Sequence, residues 1–470
     1  MQEQALDPEQ GRCYYAETRN FWLNIACNST TVHGRGHMRN GVSATWRATS
    51  LVAVLVVLMA GCVGPSSSPA GAAKPGGGAG GVTTLEFSQW WEPELPQGAL
   101  RGLMDQFEAA SPGIKVKLLS GPFASTKEQT IAGAAAGTMA DVVGLDGAWV
   151  SDFVKQGSIT NLSALMTSAG YDDSQLAAQI KVNGSTYMIP VVNFIYPLFT
   201  NDDLLSKAGV TAPPTNRTEF MAAAKKVTAG GGDVKGWIVP LSLETPNGIQ
   251  NDVMSWNWAS GGSMLKDGKP DVANADVKAT VEYVKSLWDA GVVAPGALTM
   301  KEQDKVEEFT NGRVGMMIGS LAWVNLIRKN NANLKFSISA IPAKDGFTAK
   351  RGIPYASWGI GISENSKNKA EAWKLVDFLM NKTNNASVSS LANGFPGNTQ
   401  AVPSFVSNDN LFKAAFDIYK AGYPANEFTG LPVADELMRS FDEQLQKTLS
   451  GNQSVDDMLN AAQTSWLKKF

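Results

Sequence analysis

The chain is poor in histidine and cysteine. Both histidines, His33 and His37, lie within the first 37 residues, as do two of the three cysteines, and the third cysteine is Cys62. Zinc sites of the His/Cys kind and Ser-His-Asp triads require these side chains. The sequence after Cys62 therefore predicts neither a zinc site of that kind nor a catalytic triad, and we expect no metal and no cofactor.

Other absences exclude further classes of protein. No Walker A sequence is present, so the chain is not an ATPase of that kind, and no G-x-G-x-x-G follows a predicted strand. The 40 basic and 43 acidic residues give a formal net charge of -3. A nucleic-acid-binding protein usually has a basic excess, so nucleic acid is not an expected partner. No short repeat period is present, which disfavours a solenoid or a propeller.

The segment from Met38 to Cys62 has the layout of a secretory signal. Two arginines precede an unbroken apolar run, Leu51–Met59, which is shorter than the roughly 20 residues of a membrane-spanning helix. The Leu-Met-Ala-Gly-Cys ending resembles a bacterial lipoprotein box, in which the cysteine is lipidated and becomes the first mature residue. We therefore expect an extracytoplasmic protein that lipidated Cys62 anchors to the outer face of the cell membrane. An ordinary signal peptide cleaved near Ala60 is the alternative.

The composition also predicts where the folded part begins. Residues 1–61 are interpreted as an upstream extension followed by the signal peptide, with Met38 as the native start. Residues 62–81 consist mainly of proline, serine, glycine and alanine, a composition typical of a flexible linker. Eleven of the thirteen tryptophans follow Cys62. The mature chain is therefore unusually well supplied with flat aromatic side chains.

Strand and helix patterns alternate over residues 82–165, and a second series follows the extended stretch Tyr187–Thr200. Alternation of this kind predicts an α/β fold with mostly parallel sheets covered by helices. Open parallel sheets bind ligands beyond the carboxyl ends of their strands. That rule points to the loops after Ser88, after Leu145 and after Leu243.

Several segments, taken in order, resemble the extracellular solute-binding proteins of ATP-driven carbohydrate importers, the maltose-binding-like group. The segments that carry the resemblance are Ser111–Val116, Ala140–Val143, Tyr187–Pro190, Asn201–Leu205, Phe309–Met317 and Ser366–Lys369. The resemblance implies a class II periplasmic-binding-protein-like fold, with two α/β lobes and a ligand cleft between them. It places one lobe at residues 82–194 and 353–398, and the other at 195–352 and 399–470.

The resemblance also implies a function. The protein is expected to be a monomeric receptor, not an enzyme, that binds a neutral sugar or oligosaccharide and delivers it to the transmembrane subunits of an ABC-type permease. The lack of an obvious basic cluster argues against anionic solutes. A sugar sensor that signals to a membrane partner would share this fold. A secreted glycoside hydrolase, which needs cleft aromatics and two carboxylates, is the alternative from another class.

The loop after the first strand contains candidate ligand-binding residues Trp90, Trp91 and Glu92. An indole offers an apolar face for the C–H face of a sugar ring, and a carboxylate accepts hydrogen bonds from vicinal hydroxyls. Asp146 follows the third strand at the same edge. Trp90 is alternatively a core residue, and Asp146 is alternatively a helix cap.

The remaining candidates lie along the rest of the chain. The segment 245–259 is rich in asparagine and tryptophan. The hinge crossings and the residues after later strands face the cleft in the family pattern. The candidates from these places are Asn193, Tyr196, Asn247, Asn251, Trp256, Trp323, Ser357, Trp358 and Asn398.

Overall fold

The computed structural model describes residues 81–404 and 409–470. The described strands, in chain order, are β1 (Thr83–Gln89), β2 (Ile114–Ser120), β3 (Val142–Leu145), β4 (Ile180–Val182), β5 (Ser185–Ile195), β6 (Leu198–Asn201), β7 (Lys235–Ile238), β8 (Leu265–Lys266), β9 (Lys269–Pro270), β10 (Val314–Ile318), β11 (Phe336–Ser339), β12 (Gly352–Ile362), β13 (Phe395–Pro396) and β14 (Tyr423–Ala425). The signal peptide, Cys62 and nearly all of the linker lie outside the described residues.

The helices fill most of the chain between these strands. They are α1 (Trp91–Glu94), α2 (Ala99–Ala110), α3 (Phe123–Ala136), α4 (Val150–Lys155), α5 (Leu162–Ala169), α6 (Asp202–Lys207), α7 (Arg217–Ala229), α8 (Met254–Trp258), α9 (Ala275–Asp289), α10 (Glu302–Thr310), α11 (Val324–Asn330), α12 (Lys369–Met380), α13 (Lys382–Ala392), α14 (Asn410–Ala421), α15 (Ala434–Leu449) and α16 (Val455–Leu467). No helix within 81–404 or 409–470 combines the length and the apolar character that crossing a membrane requires.

The larger sheet has eight strands, six of them in the order β13-β5-β12-β3-β1-β2, with β4 and β14 paired beside β5 and β12. β1 pairs parallel with both β2 and β3. The short strand β3 is buried along its whole length, as its Val-Val-Gly-Leu sequence predicts for a strand covered on both faces. The carboxyl ends of these three strands therefore meet at one edge of the sheet.

The smaller sheet has four strands in the order β11-β6-β10-β7, and β7 and β10 run parallel to each other. The chain passes directly from β5 in the larger sheet to β6 in the smaller one through Tyr196 and Pro197. β12 runs antiparallel between β3 and β5. The predicted α/β fold with two sheets is present. The sheets are mixed, because β12 runs antiparallel to its neighbours β3 and β5, and β6 runs antiparallel to its neighbours β10 and β11.

Two strands differ in their bounds from what the sequence pattern predicts. The pattern predicts a strand over 236–243, but β7 ends at Ile238, and Pro240 shortly afterwards has no N–H to donate to a sheet. It also predicts a strand that begins at Trp358, but β12 begins at Gly352. The early part of β12 pairs with β5 and β14, partners that the local sequence pattern does not reveal.

Asp442 on α15 is a buried acid, and we predict that its contribution to the stability of the fold depends on pH. Its residue is fully buried, and burial raises the pKa of its carboxyl to about 8. Because the folded state then holds a proton that the unfolded state releases above its ordinary pKa of about 4, this group's contribution to stability is lost as the pH rises toward 8.

We predict that Asp442→Asn gains stability relative to the wild type by up to about 1.4 kcal/mol per pH unit between pH 5 and pH 8. Urea unfolding of both proteins at several pH values measures this difference. A difference that does not change with pH would contradict the prediction.

Candidate functional site

A cavity lies where the strand ends of the two sheets face each other. It encloses about 860 Å³ of space, part of it open to solvent. The residues that line it come from both sheets and from the strands that connect them. They are Trp90, Glu94, Pro122, Phe123, Ala124, Asp146, Phe194, Tyr196, Thr245, Asn247, Asn251, Lys301, Glu302, Gln303, Asp304, Ser320, Trp323, Ala356, Ser357 and Trp358.

The wall from the larger sheet follows the carboxyl ends of β1, β2 and β3, as the rule for open sheets predicts. Trp90 follows β1, and its ring packs edge-on against Phe123, with ring centroids 5.2 Å apart. Asp146 follows β3, and its Oδ1 accepts a hydrogen bond from the N–H of Ala148 at 2.9 Å. Asp146 does not cap α4, whose N-cap residue is Trp149. Its Oδ2 has no donor among the described residues.

Glu94 on α1 is a cavity carboxyl that the sequence analysis did not select. It is half-buried beside Trp358, and burial raises the pKa of Glu94 to about 8, against the opposing effect of a hydrogen bond from Trp358. Trp358 itself stacks on Trp91, with ring centroids 5.4 Å apart and planes within 7°. The stacked pair holds Trp358 at the cavity surface.

Tyr196 and Trp323 form an aromatic corner where the two sheets join. Their ring centroids are 6.2 Å apart and their planes meet at 75°. Burial raises the pKa of Tyr196 well above its ordinary value, and the nearby carboxyls of Glu302, Asp146 and Glu94 raise it further. These three carboxyls, from three different elements, therefore lie close enough to act on one phenol.

A buried charged group supports Trp323 from behind. Lys305 is fully buried, and its Nζ lies 2.8 Å from Asp252 and 2.9 Å from Glu302. The same ammonium lies 5.1 Å from the ring centroid of Trp323, a cation–π arrangement. Burial alone would lower the pKa of Lys305, but Asp252 and Glu302 raise it overall, so the side chain is an ammonium.

The wall from the smaller sheet contains polar atoms without partners. Thr245 and Asn247 are 5% and 2% exposed, and neither Thr245 Oγ1 nor Asn247 Oδ1 has a hydrogen-bond partner within the described chain. Asn251, in a π-helical turn over Ile249–Val253, donates from Nδ2 to Glu302 Oε1 at 3.0 Å. A Cβ on Gly248 would lie 1.6 Å from the carbonyl oxygen of Pro240, so only glycine permits this close approach of the loop.

The cavity brings together the predicted residues Trp90, Asp146, Tyr196, Asn247, Asn251, Trp323, Ser357 and Trp358. Three other predicted residues on the larger sheet, Trp91, Glu92 and Asn193, do not line the cavity. Trp91 is fully buried beneath Trp358, and Ser120 donates a hydrogen bond to the carboxylate of Glu92. Asn193 accepts a hydrogen bond from the Ser357 hydroxyl at 2.8 Å. Trp91 and Asn193 therefore lie behind the lining and contact residues in it, whereas Glu92 contacts Ser120, which does not line the cavity.

Two further candidates lie away from the cavity lining. Trp256 is fully buried in the core of the smaller-sheet region, where it packs edge-on against Phe220 with ring centroids 4.8 Å apart. Asn398 donates from Nδ2 to the carbonyl oxygen of Met380 at 2.8 Å and is 1% exposed. The Trp256 position follows from the turn of α8, which directs this residue inward.

Several lining residues are not among the candidates that the sequence predicts. Phe123, Thr245 and the acidic start of α10 reach the cavity through tertiary packing. Glu94 could have been selected from the sequence, because it lies two residues beyond the candidate Glu92 in the same acidic segment. The acidic residues of the run Lys301–Asp304 predict the first turn of a helix.

The arrangement is suited to binding rather than to metal chemistry. Within 81–404 and 409–470 no three histidine, cysteine, aspartate or glutamate side chains are placed to hold a metal ion. Aromatic faces on both walls offer apolar contact, and carboxyl and amide oxygens between them accept hydrogen bonds. A ligand with apolar faces and several hydroxyl or amine donors fits this chemistry.

The sequence and the fold match known proteins. Residues 92–386 match the family described as Bacterial extracellular solute-binding protein. A binding protein of Brucella abortus (strain 2308) is 30% identical over 72% of this chain and 77% of its own length. A galactooligosaccharide-binding protein of Bacillus subtilis (strain 168) is 24% identical over 79% of this chain and 86% of its own length.

The fold is that of a solved ABC-transporter solute-binding protein from Thermotoga lettingae, whose crystal structure holds alpha-D-tagatose. The two structures superpose with a TM-score of 0.71 at 20% sequence identity, over 82% of this chain and 99% of the other. This match confirms the predicted two-sheet α/β fold.

Proposed function

Because the chain belongs to the bacterial extracellular solute-binding protein family, we propose that it is the receptor that captures a sugar or an oligosaccharide for an ABC-type importer. Members of the family bind solutes and are not enzymes, so the glycoside-hydrolase alternative is set aside. The observation that carries the proposal is the cavity itself, in which aromatic faces on both walls surround unpartnered hydrogen-bonding oxygens.

Each part of the cavity has a role in this proposal. Trp90 and Trp323 offer flat faces to the C–H faces of sugar rings. Asp146, Asn247 and Thr245 offer oxygens to the hydroxyls, which fixes orientation and specificity. A wrong sugar would leave these buried polar groups unpaired, and the resulting loss of affinity is the source of discrimination. The four carboxyls of the lining disfavour anionic solutes.

The similar proteins support a sugar as the ligand. The Bacillus subtilis relative is named for galacto-oligosaccharides, and the Thermotoga lettingae structure holds tagatose.

Closure of the two lobes is the expected consequence of binding. We place the lobes at 82–194 with 353–398, and at 195–352 with 399–470, with the connections through β5, β6 and β12 as the hinge. A ligand drives closure only to the extent that it binds the closed form more tightly than the open form.

The receptor is proposed to act at the outer face of the cell membrane. The signal-like segment ending at Cys62 supports lipidation of that cysteine, and the spacer 63–81 would let the folded region move relative to the anchor. The partners are then the transmembrane subunits of an ABC-type permease, and the receptor is a monomer.

A thermal-shift screen of the purified protein against monosaccharides, polyols and oligosaccharides tests the proposal. We expect at least one sugar to raise the melting temperature by several degrees, since a ligand at 100 times its dissociation constant stabilises the folded state by about 2.7 kcal/mol. If no member of a broad panel stabilises the protein, the sugar assignment is wrong.

A further inference from the structure

The charged residues that line the cavity are predominantly acidic. Glu94, Asp146, Glu302 and Asp304 line it, against a single basic residue, Lys301. The ammonium of Lys301 lies 2.5 Å from Glu244, a carboxylate outside the lining, so its charge is already matched. The lining therefore has an excess of acidic groups over free cations, and the negative charge of Glu94 is fully present only when a cation bound beside it offsets burial, which raises the pKa of that carboxyl to about 8.

The cations behind the lining do not cancel this charge. Lys305 is shared between two buried carboxyls, Asp252 and Glu302, so one positive charge faces two acids. Lys127, which lies near Asp146, is ion-paired with Asp435. Both ammonium groups are therefore committed to acids within the protein.

The acidic groups of the lining come from separate elements. Glu94 comes from α1, Asp146 from the loop after β3 and Glu302 from the first turn of α10, yet all three line the same cavity as Tyr196, and they add to burial in raising the pKa of its phenol. Tyr196 is 7% exposed and lies beside Trp323. A ligand group that reaches this corner lies near these carboxyls and beside two aromatic rings.

Hydrogen bonding in the lining also favours a ligand that donates hydrogen bonds. Several lining donors are engaged within the protein: the indole of Trp358 with Glu94, Asn251 Nδ2 with Glu302, and the Ser357 hydroxyl with Asn193. Asn247 Oδ1, an acceptor, and the Thr245 hydroxyl, which can accept or donate, are unpartnered, although their side chains are more than nine-tenths buried. An unpaired buried acceptor is costly unless a ligand donor reaches it.

From this geometry we propose that the solute is an amino sugar, or an oligosaccharide that contains one, and that its protonated amino group binds in the corner formed by Glu94, Asp146 and Glu302. An ammonium supplies three donors and a positive charge, and it is attracted to aromatic faces such as that of Trp323. The inference rests on the proposed sugar-binding function and narrows it. It departs from the neutral solute that the resemblance to carbohydrate importers implies.

Matched pairs of ligands test the inference by isothermal titration calorimetry on the full-length mature protein. Each pair shares one ring skeleton and differs at a single substituent: glucosamine and glucose, galactosamine and galactose, and β-1,4-linked glucosamine oligomers and the corresponding glucose oligomers. The N-acetylated form of each amine is a third arm, because it keeps the nitrogen and removes the charge.

We expect at least one amine to bind 10-fold or more tightly than both its hydroxyl and its N-acetyl counterparts, and we expect added salt to reduce that ratio. Equal or tighter binding of the neutral sugars in every pair would overturn the inference and leave the proposed function standing. If neither amines nor neutral sugars bind, both the inference and the proposed function are wrong.

A substitution at Glu94 distinguishes recognition of the charge on the ligand from packing against it. Glu94→Gln keeps the size of the side chain and cannot ionise when an ammonium binds beside it, so we expect the amine-to-hydroxyl affinity ratio to fall toward one. Asp146→Asn is the second variant, and should Glu94→Gln fail to fold, the ratio is read from it instead. A ratio that stays at the wild-type value in both variants would contradict the proposed position of the amino group.

Discussion

Replacing Trp323 with alanine should weaken sugar binding by roughly 30-fold or more, a loss of about 2 kcal/mol. Trp323 lines the cavity, is 8% exposed, and packs edge-on against Tyr196. Its indole is the largest flat face on the smaller-sheet wall, and truncation removes the apolar contact without removing a hydrogen-bonding oxygen. Calorimetric titration with the tightest ligand from the screen measures the loss.

Trp288 provides the matched control. It is a half-buried tryptophan on α9 that does not line the cavity, so Trp288→Ala removes an indole of the same size from elsewhere in the fold. We expect this control to bind sugar with nearly wild-type affinity. Equal affinities of the Trp323→Ala variant and the wild type would remove Trp323 from the binding site.

The second large effect is expected at Lys305. Replacing it with methionine leaves Asp252 and Glu302 without their shared cation, and Asp252 is fully buried. Removing one partner of a buried ion pair costs about 3–5 kcal/mol, so we expect the free energy of unfolding to fall by that amount. Denaturant unfolding measures it. Binding should weaken as well, because the ammonium lies 5.1 Å from the Trp323 ring centroid.

The double variant Asp252→Asn with Lys305→Met is the control for this effect. It removes the stranded buried charge together with the cation, so we expect it to recover most of the lost stability. Should the single variant unfold no more readily than the wild type, the buried charges would not be coupled as described. Equal losses in the single and double variants would point to packing, because the charge difference between them would then have no effect.

Elements and lining residues are predicted correctly from the sequence where the local residue pattern and the direction of the strands determine the structure. The buried strand β3 and the amphipathic helix α2, with Leu103 and Phe107 on its buried face, follow from their periodicity. The rule that ligands bind beyond the carboxyl ends of parallel strands led to Trp90 and Asp146, and both line the cavity.

The sequence pattern does not identify the lining residues where tertiary packing determines which side chains reach the cavity. Neighbouring tryptophans have opposite surroundings, because Trp90 borders the cavity while Trp91 turns inward beneath Trp358. A third candidate tryptophan, Trp256, lies in the core. Composition identifies tryptophans suited to sugar faces, but only the packing of each helix decides which of them reach the ligand.

The acidic character of the cavity was likewise hidden in the sequence. Glu94 and Glu302 are separated by more than 200 residues, and the overall charge of -3 gives no sign that they meet. Their positions in one cavity depend on two sheets and the strands between them. The neutral solute that the resemblance implies and the amino sugar proposed above therefore differ because of carboxyls that only tertiary packing brings into one cavity.

The central claim is that a sugar binds between the two walls of this cavity, and hydrogen–deuterium exchange with and without the ligand from the screen tests it most directly. We predict slower exchange on both walls at once: in the segment that follows β1, in the segment around Thr245–Asn251, and around Ser320–Trp323. Protection confined to one wall, or located only at segments that do not line the cavity, would contradict the account.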